Sequence, residues 1–263
     1  MNLKLEGKRA FISGSTQGIG YAVAQQLLNE NAEVIINGRS KEKTASAVQK
    51  LKQEFPNAVV SGIAADFGNK EEVTALLKEI TEIDILVNNV GIFELKSFED
   101  IEDEDWYRIF EINVMSAVRL SKKLLPSMLE KKSGRIIFIS SESGVNIPEN
   151  MIHYGMTKAS MMAISNGLSK LTKGTEITVN TILGGPTYSD GVAATIEHIA
   201  ELQNINVEQM KSVIIQQTNP DSLLQRFINP SEIASLAAYL ASPISIATNG
   251  TSLRADGGVL KTV

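Results

Sequence analysis

The sequence predicts an α/β fold: a doubly wound parallel sheet of about seven strands with helices on both faces. Short apolar runs alternate with helical stretches along the 263 residues, and 43% of the residues are hydrophobic, enough for a large core. A glycine-rich turn joins the first apolar run to the first helical stretch. Because no repeat, low-complexity tract or linker interrupts this alternation, residues 1–263 are expected to form one domain.

Each strand is predicted from a short run of apolar and β-branched residues, and each helix from apolar positions spaced three or four residues apart. The predicted strands are Lys8–Ser13, Val34–Asn37, Ala58–Ala64, Ile83–Asn88, Gly134–Ser140, Thr175–Leu183 and Thr251–Arg254. The predicted helices are Tyr21–Asn29, Lys41–Phe55, Lys70–Thr81, Asp105–Leu129, Tyr154–Thr172, Gly191–Leu202, Val207–Gln216 and Ser231–Leu240. Strands that alternate with helices in this way pair in parallel.

The turn after the first strand carries glycines in the spacing Gly14-x3-Gly18-x-Gly20. Glycine lets the backbone approach a pyrophosphate closely, and the N-terminus of the following helix offers free N–H groups and a partial positive charge. We expect Gly14 to form the turn, Gly18 to admit the phosphates and Gly20 to let the helix pack on the sheet. The context predicts a dinucleotide site.

A second array, Ser141, Tyr154 and Lys158, has the spacing Ser-x12-Tyr-x3-Lys. Tyr154 and Lys158 are four residues apart and therefore share one face of a helix. An ammonium group near a phenol favours the phenolate and brings its pKa down from about 10 toward neutral pH. With a serine hydroxyl on the same reacting oxygen, the array predicts proton transfer to or from a carbonyl or alcohol.

The residues after the second strand indicate which dinucleotide binds. A carboxylate at this point would bond the adenosine ribose and repel a 2′-phosphate, but the chain has Gly38 and then Arg39. Arg39 can hold a phosphate through paired hydrogen bonds, and Ser15 and Ser40 offer hydroxyl donors. NADP(H) is favoured, and NAD(H) stays possible because Gln17 is not basic.

The segment 185–230 breaks the alternation of strands and helices. It contains Pro186, Pro220 and Pro230 and follows a strand end directly. Ligands of doubly wound sheets bind beyond the carboxyl ends of the strands. We therefore expect this segment to be a substrate-binding lid.

Composition excludes several classes of function. The net charge of −5 disfavours a general nucleic-acid binder. The chain has no cysteine, and His153 and His198 lack the spacing of metal ligands, so no metal site is expected. Without a membrane-spanning run or a signal segment, we expect a cytoplasmic protein.

Taken together, the motifs resemble the short-chain dehydrogenase/reductase (SDR) family, over nearly the whole chain and in the same order. The matching positions are Gly14-x3-Gly18-x-Gly20, Asn88-Asn89-Val90-Gly91, Asn113, Ser141, Tyr154, Lys158, Gly185-Pro186-Thr187 and Arg254-Ala255-Asp256-Gly257-Gly258. Two motifs depart slightly from the family pattern: Val90 replaces alanine, and Gly184 stands where proline is common. The resemblance implies a Rossmann fold and an oxidoreductase.

The resemblance also implies a role for each member of a catalytic set. Tyr154 would be the general acid for carbonyl reduction and the base for alcohol oxidation, and Ser141 would orient the substrate oxygen. Lys158 would lower the pKa of Tyr154 and bond the nicotinamide ribose. Asn113 would help to hold a water molecule that relays protons.

The remaining site residues implied by motif and resemblance contact the cofactor or the substrate, and Asp66 would contact the adenine. The expected cofactor contacts are Gly14, Ser15, Gln17, Gly18, Ile19, Gly20, Arg39, Ser40, Asp66, Phe67, Asn89, Gly91, Tyr154, Lys158, Gly185 and Thr187. Glu142 and Tyr188 are the polar candidates for substrate contact.

Several alternatives stay open on sequence. A cofactor-binding sensor without turnover competes with the enzyme, although it would have no chemical need for all four catalytic residues. The substrate could be a 3-oxoacyl thioester, a sugar or polyol, or a steroid. Family members commonly associate through two long helices, so a homotetramer, or else a dimer, is expected.

Overall fold

A computed structural model describes residues 2–261, and all its strands form one parallel sheet. The strands are β1 Arg9–Ile12, β2 Glu33–Gly38, β3 Val60–Ala64, β4 Ile85–Asn88, β5 Ser133–Ser141, β6 Glu176–Gly184 and β7 Ser252–Ala255. The helices are α1 Gly18–Asn29, α2 Lys41–Glu54, α3 Lys70–Glu79, α4 Asp103–Phe110, α5 Ser116–Lys131, α6 Ile152–Lys170, α7 Asp190–Gln203, α8 Val207–Thr218 and α9 Pro230–Ala241. The predicted doubly wound α/β fold is confirmed.

The two faces of the sheet bury separate apolar clusters. In β1, Ala10 and Ile12 face a cluster shared with α1, α2 and α9, whereas Phe11 faces a cluster shared with α3, α5 and α6. This alternation follows from the two-residue period of a strand. Each large side chain buried in these clusters contributes about 1.5–3 kcal/mol, and together the clusters fix the positions of the strand ends.

The strand order β3-β2-β1-β4-β5-β6-β7 places a switch point between β1 and β4. The chain winds outward from β1 in one direction through β3 and in the other direction through β7. Ile12 pairs with Val87, so the turns after β1 and β4 leave the same edge of the sheet side by side. Ligands of doubly wound sheets bind at this point.

The helix predicted as continuous over Asp105–Leu129 is interrupted, which corrects that prediction. A π-helical turn, Glu111–Met115, separates α4 from α5. It contains Asn113, whose fully buried side chain bonds the backbone of Ile92, 21 residues away. Single π turns of this kind occur often at functional sites.

The segment 185–230 folds as a helical hairpin with a small core of its own. Helices α7 and α8 share a cluster that includes Ile196, Met210 and Phe227. A single parallel bridge, Thr187 to Ile228, connects the two ends of the segment. Within residues 2–261, no helix is both long and apolar enough to cross a membrane.

Candidate active site

The glycine turn after β1 adopts the backbone that its glycines were expected to provide. Gly14 and Gly18 both have φ of +61°, a conformation that disfavours other residues. A Cβ added at Gly20 would lie 2.6 Å from the carbonyl oxygen of Gly14 and 2.5 Å from Nδ2 of Asn89. Gly20 is therefore required by packing, and the turn lies flat against the end of β4.

The N-terminus of α1 differs from those of its neighbours in how it is capped. Ser40 and Asn69 cap α2 and α3 with side-chain oxygens, but the exposed side chain of Gln17 does not cap α1. Instead, the N–H of Gly18 donates to Oδ2 of Asp190 at 2.6 Å. A backbone N–H in the first turn of α1 thus already donates to an anionic oxygen, which is the kind of contact that a pyrophosphate site requires.

Asn89 joins the glycine turn to β4. Its Nδ2 donates to the carbonyl oxygens of Ser13 (3.1 Å) and Gly14 (2.8 Å), and its backbone N–H donates to the Ser13 hydroxyl at 3.0 Å. These bonds hold the two turns at the switch point together. The side-chain amide of Asn89 therefore shapes the cofactor site by holding the backbone of the glycine turn in place.

The Ser15 hydroxyl, expected to reach the cofactor, lies elsewhere. It is fully buried, donates to the carbonyl oxygen of Ile12 at 2.6 Å and accepts from the N–H of Asn37 at 3.0 Å. Because it already has a donor and an acceptor partner within the chain, the hydroxyl stabilises the turn. The contact expected between Ser15 and the cofactor stays a prediction.

Gly38 is the last residue of β2, and its side-chain position is crowded. A Cβ at this position would lie 2.4 Å from Cγ2 of Thr16 and 2.7 Å from Oγ1 of Thr44, so a larger residue here would require both threonine side chains to move. Arg39 is exposed beside it, and the Ser40 oxygen accepts from the N–H of Lys43 at 3.2 Å. The chain therefore presents an exposed arginine here and has no ribose-binding acid at position 38.

The loop after β3 has one expected contact facing outward and one facing inward. Asp66 is half-buried and its Oδ1 accepts from the N–H of Gly68 at 2.9 Å. The side chain of Phe67 is 3% exposed and belongs to the core under α3 and α5. The structure thus limits Phe67 to backbone contact with a ligand, because its ring is committed to the core.

The end of β5 and the start of α6 bring Ser141 and Tyr154 together. The Ser141 hydroxyl faces the phenol of the half-buried Tyr154. It also donates a short hydrogen bond to Oε2 of Glu142 and accepts from the N–H of Ser143 at 3.1 Å. Oε1 of Glu142 in turn accepts from the Ser143 hydroxyl at 3.1 Å. Glu142, a predicted substrate contact, thus lies beside the reacting groups.

Lys158 lies one turn further along α6, buried against the sheet. Its Nζ donates to the carbonyl oxygen of Ile139 at 3.0 Å and lies 5.5 Å from the ring centroid of Tyr154. Burial lowers the pKa of Lys158 to about 8, and the charge of Glu142 opposes that shift. Gly91, in the loop after β4, lies next to this ammonium group, because a Cβ there would be 3.4 Å from Nζ.

The pKa of Tyr154 departs from the expectation that Lys158 lowers it. Burial raises the pKa of the phenol most, the charge of Glu142 raises it further, and the contact with Ser141 lowers it. In a medium of low polarity the neutral phenol is favoured over the phenolate. In the folded chain the phenol of Tyr154 therefore keeps its proton more firmly than a free tyrosine does.

Asn113 holds the loop after β4 against α6. Its Oδ1 accepts from the N–H of Ile92 at 2.8 Å, and its Nδ2 donates to the Ile92 carbonyl (2.9 Å) and to the Thr157 hydroxyl (3.0 Å). The side chain therefore positions the loop that borders Tyr154 and Lys158. The water relay expected from the resemblance stays a prediction.

The remaining predicted residues follow the end of β6. Gly185 and Thr187 lie beside the end of the sheet, and Tyr188 lies in the lid hairpin. Gly185 lies against the backbone of Asp256, where a Cβ would be 2.6 Å from the carbonyl oxygen. The Thr187 hydroxyl donates to the Gly185 carbonyl at 2.8 Å. Tyr188 packs in the hairpin, 6.0 Å from the Phe227 ring and 4.4 Å from Nζ of Lys211. These contacts of the Tyr188 ring therefore lie within the lid hairpin.

Three residues near the site were not predicted from sequence. Ser189 and Asp190 reach Gly18 from the lid, at 3.5 and 3.9 Å from the position of an added Cβ. Phe93, 52% exposed, lies edge-on to Tyr154 with ring centroids 6.3 Å apart. Their position just after a strand end was the one available signal.

These residues fit a bound dinucleotide. The positive φ angles, the space that Gly20 leaves and the N–H groups of α1 form a cradle for a pyrophosphate. Thr16 of the glycine turn lies beside Gly38, and Gly91 of the loop after β4 lies beside Lys158. Among residues 2–261, no group of three or more acidic or histidine side chains is placed to hold a metal ion.

Comparison with known proteins identifies the class. A short chain dehydrogenase model matches residues 8–200. The chain therefore belongs to the short-chain dehydrogenase/reductase family, a family of oxidoreductases.

Individual relatives are similar over the whole length. The chain is 43% identical to the uncharacterized oxidoreductase YvaG of Bacillus subtilis, covering 100% of both chains. It is 32% identical to the 3-oxoacyl-acyl-carrier-protein reductase FabG of Vibrio cholerae, over 98% of this chain and 99% of that one. Its structure matches L-sorbose reductase from Gluconobacter frateurii, complexed with NADPH and L-sorbose, at a TM-score of 0.93, 29% identity and full coverage of both chains.

Proposed function

We propose that the protein transfers a hydride between NADP(H) and a carbonyl or secondary alcohol, with Tyr154 as general acid or base. The observation that carries this proposal is the meeting of Ser141, Tyr154 and Lys158 at the end of β5, beside a glycine cradle that fits a pyrophosphate. The bound cofactor would supply the hydride. The chain would supply position and the proton.

The side chains divide the work by position. Tyr154, protonated in its buried environment, gives its proton to the substrate oxygen during reduction and recovers it during oxidation. Ser141 orients that oxygen. Lys158 adds a positive charge below the ring, and Asn113 holds the neighbouring loop in place. Correct orientation of the reacting groups accounts for a large part of such catalysis.

NADP(H) is proposed over NAD(H) because of the loop after β2. No acidic side chain stands at Gly38, where a Cβ would crowd Thr16 and Thr44, and the exposed Arg39 guanidinium can pair with a 2′-phosphate. The similar sorbose reductase was solved with NADPH. An NAD-preferring dehydrogenase remains the alternative that direct comparison of the two coenzymes tests.

The lid and the assembly complete the proposal. The hairpin 185–230 would close over the substrate and set its class, which includes sugars and 3-oxoacyl thioesters because similar proteins act on them.

A homotetramer, or a dimer, would form through α5 and α6. On α6, Gly167 has open space where a Cβ would lie, and Ala163 is exposed, which leaves a face for close helix packing. We place the protein in the cytoplasm.

The experiment is coenzyme consumption by the purified protein against ketoses, 3-oxoacyl thioesters, simple ketones and steroids. We expect oxidation of NADPH with at least one class, and slower oxidation of NADH. NADPH that binds but is not oxidised by any substrate would contradict the enzyme and favour a cofactor-binding sensor.

A further inference from the structure

Phe93 is an exposed aromatic side chain beside the proton-transfer residues. It lies in the loop after β4, it is 52% exposed, and its ring centroid lies 6.3 Å from that of Tyr154 in an edge-on arrangement. Large apolar side chains that stay open to solvent beside reacting groups are typical of ligand-binding sites. Proton transfer does not use this ring, so its exposure here indicates another role.

The loop that carries Phe93 is held on both sides of that residue. The N–H and the carbonyl of Ile92 bond the side chain of Asn113 at 2.8 and 2.9 Å. Three residues after Phe93, the N–H of Lys96 donates to the carbonyl oxygen of Asn150 at 3.0 Å. The backbone at Phe93 therefore has a fixed place beside the phenol, as a surface that positions a ligand requires.

The charged side chains of the same loop are engaged with α4. Oε2 of Glu94 accepts from the Arg108 guanidinium at 2.6 Å, and Nζ of Lys96 donates to Oδ2 of Asp105 at 2.5 Å. Both partners lie on α4. The loop thus presents an aromatic ring beside the phenol, while its two charges are paired elsewhere.

A second exposed apolar side chain comes from the loop after β5. Ile147 is 44% exposed and packs on Gly155, the residue that follows Tyr154. A Cβ added at Gly155 would lie 2.5 Å from Cγ2 and 2.9 Å from Cγ1 of Ile147. Two loops therefore bring apolar surface to the part of α6 that carries the proton donor.

We propose that Phe93, together with Ile147, determines specificity by packing on the substituent of the carbonyl carbon, so that the substrate is an uncharged ketone with an aryl or alkyl group. An apolar group gains free energy on leaving water, whereas a hydroxylated group would lose hydrogen bonds that neither side chain replaces. The carboxyl group of Glu142, bonded to Ser141, also disfavours an anionic group nearby. The proposal rests on the proposed function and names the substrate class of the same site.

The test compares three methyl ketones that differ in one group. They are benzylacetone, its analogue in which a hydroxyl replaces the phenyl ring, and levulinate, in which a carboxylate replaces that ring. We expect kcat/KM with NADPH to be highest for benzylacetone and lowest for levulinate.

Phe93→Ala should lower the ratio of kcat/KM between benzylacetone and its hydroxyl analogue by about tenfold, because the contact between rings and the apolar area that it buries are lost. The ratio cancels any change in rate that is common to both ketones. The loss should appear mainly in KM, since the contact exists both before and during hydride transfer.

Three further variants sharpen the comparison. Phe93→Leu keeps an apolar side chain and should retain most of the preference. Ile147→Ala should lower the same ratio by a few-fold, from the opposite loop and without touching Phe93. Phe98→Ala removes another exposed phenylalanine of the segment after β4, 62% exposed, and should leave the ratio unchanged.

A second measurement does not require turnover. NADP+ has no hydride to give to a ketone, so the binding of benzylacetone in the presence of NADP+ reports the apolar contact alone. Its dissociation constant, measured by NMR titration, should be about tenfold higher in Phe93→Ala and unchanged in Phe98→Ala.

Equal use of benzylacetone and its hydroxyl analogue, or of benzylacetone and levulinate, by the wild type would overturn the proposal. A ratio that stays the same in Phe93→Ala, or that falls equally in Phe98→Ala, would also overturn it. Absence of NADPH oxidation with every ketone would count against the proposed function instead, and the binding measurement would still decide the role of Phe93.

Discussion

The proton-transfer residues and the lid differ in how firmly the fold holds them. Ser141 ends β5, which pairs with β6 along its whole length, and Tyr154 and Lys158 lie in the first two turns of the long helix α6. The lid, residues 185–230, is a hairpin with a small core. One hydrogen bond, from the Gly18 N–H to Asp190, joins it to the glycine turn.

This difference indicates a division of roles. Reacting atoms need positions within a fraction of an ångström, which a strand and a long helix provide. A segment that admits and covers a ligand needs low local stability, which few buried contacts provide. Changes in the first region should remove turnover, whereas changes in the second should alter binding.

The end of β5 and the start of α6, which hold the proton-transfer residues, form what we call the rigid region. The strongest test of this region is Lys158→Met. Loss of the ammonium group should lower kcat/KM by about 10²–10⁴-fold. The same change should stabilise the fold. A buried lysine whose pKa is lowered to about 8 carries a poorly solvated charge at neutral pH, and this charge lowers the free energy of unfolding. After loss of the hydrogen bond to Ile139, worth about 1 kcal/mol, we expect a net gain of about 1–2 kcal/mol.

The pH dependence of that gain has a definite sign. The unfolded lysine binds a proton up to pH 10.5, whereas the folded one releases it near pH 8. Wild-type stability should therefore rise by this contribution between these values, and the advantage of Lys158→Met should shrink over the same range. Urea unfolding at pH 7 and pH 10 measures it, and an equal difference at both would contradict the assignment.

Gly20→Ala tests whether the glycine turn belongs to the rigid region. The new Cβ would meet the Gly14 carbonyl at 2.6 Å, and that backbone cannot move without disturbing β1. We expect a loss of about 1–3 kcal/mol in stability and at least a tenfold weaker NADPH affinity. Gly191→Ala is the matched control, because it adds a methyl group in open space on α7 and should stabilise by up to about 1 kcal/mol.

Arg39→Ala separates cofactor choice from catalysis. Removing charge-assisted hydrogen bonds to a 2′-phosphate should weaken NADPH binding by roughly tenfold or more, and NADH binding by less than about twofold. Lys41→Ala removes a nearby exposed cation and should affect both coenzymes slightly. Isothermal titration with both coenzymes measures this, and equal losses for NADPH and NADH would exclude the phosphate contact.

Asp190→Asn gives the smallest expected effect and tests the lid. The carboxylate lies 2.6 Å from the Gly18 nitrogen, where the pyrophosphate would bind, so removing its charge should tighten NADPH binding by a few-fold. The gain should decrease at high salt. Glu201→Gln, on the same helix and exposed, should change nothing. Weaker binding in Asp190→Asn would mean that the carboxylate supports the cofactor site.

The sequence predicted the rigid region better than the lid. The alternation of strands and helices is repeated along the chain, and the spacing of Tyr154 and Lys158 already places them on one helix face. The π turn around Asn113 was missed because its hydrogen bonds reach a loop 21 residues away. The Ser15 hydroxyl bonds the backbone and the Phe67 ring lies in the core, which sequence could not predict because it does not distinguish a group used by the fold from one that faces a ligand. Asp190 was missed because its contact depends on how the lid folds.

The most direct test of the central claim measures two quantities on Tyr154→Phe: the NADPH dissociation constant and the single-turnover rate of NADPH oxidation with the best substrate. The account predicts a dissociation constant within about twofold of the wild type and a rate reduced by at least about a hundredfold, because the phenylalanine keeps the ring and lacks the proton. A single-turnover rate near that of the wild type would contradict the assignment of Tyr154 as the proton donor.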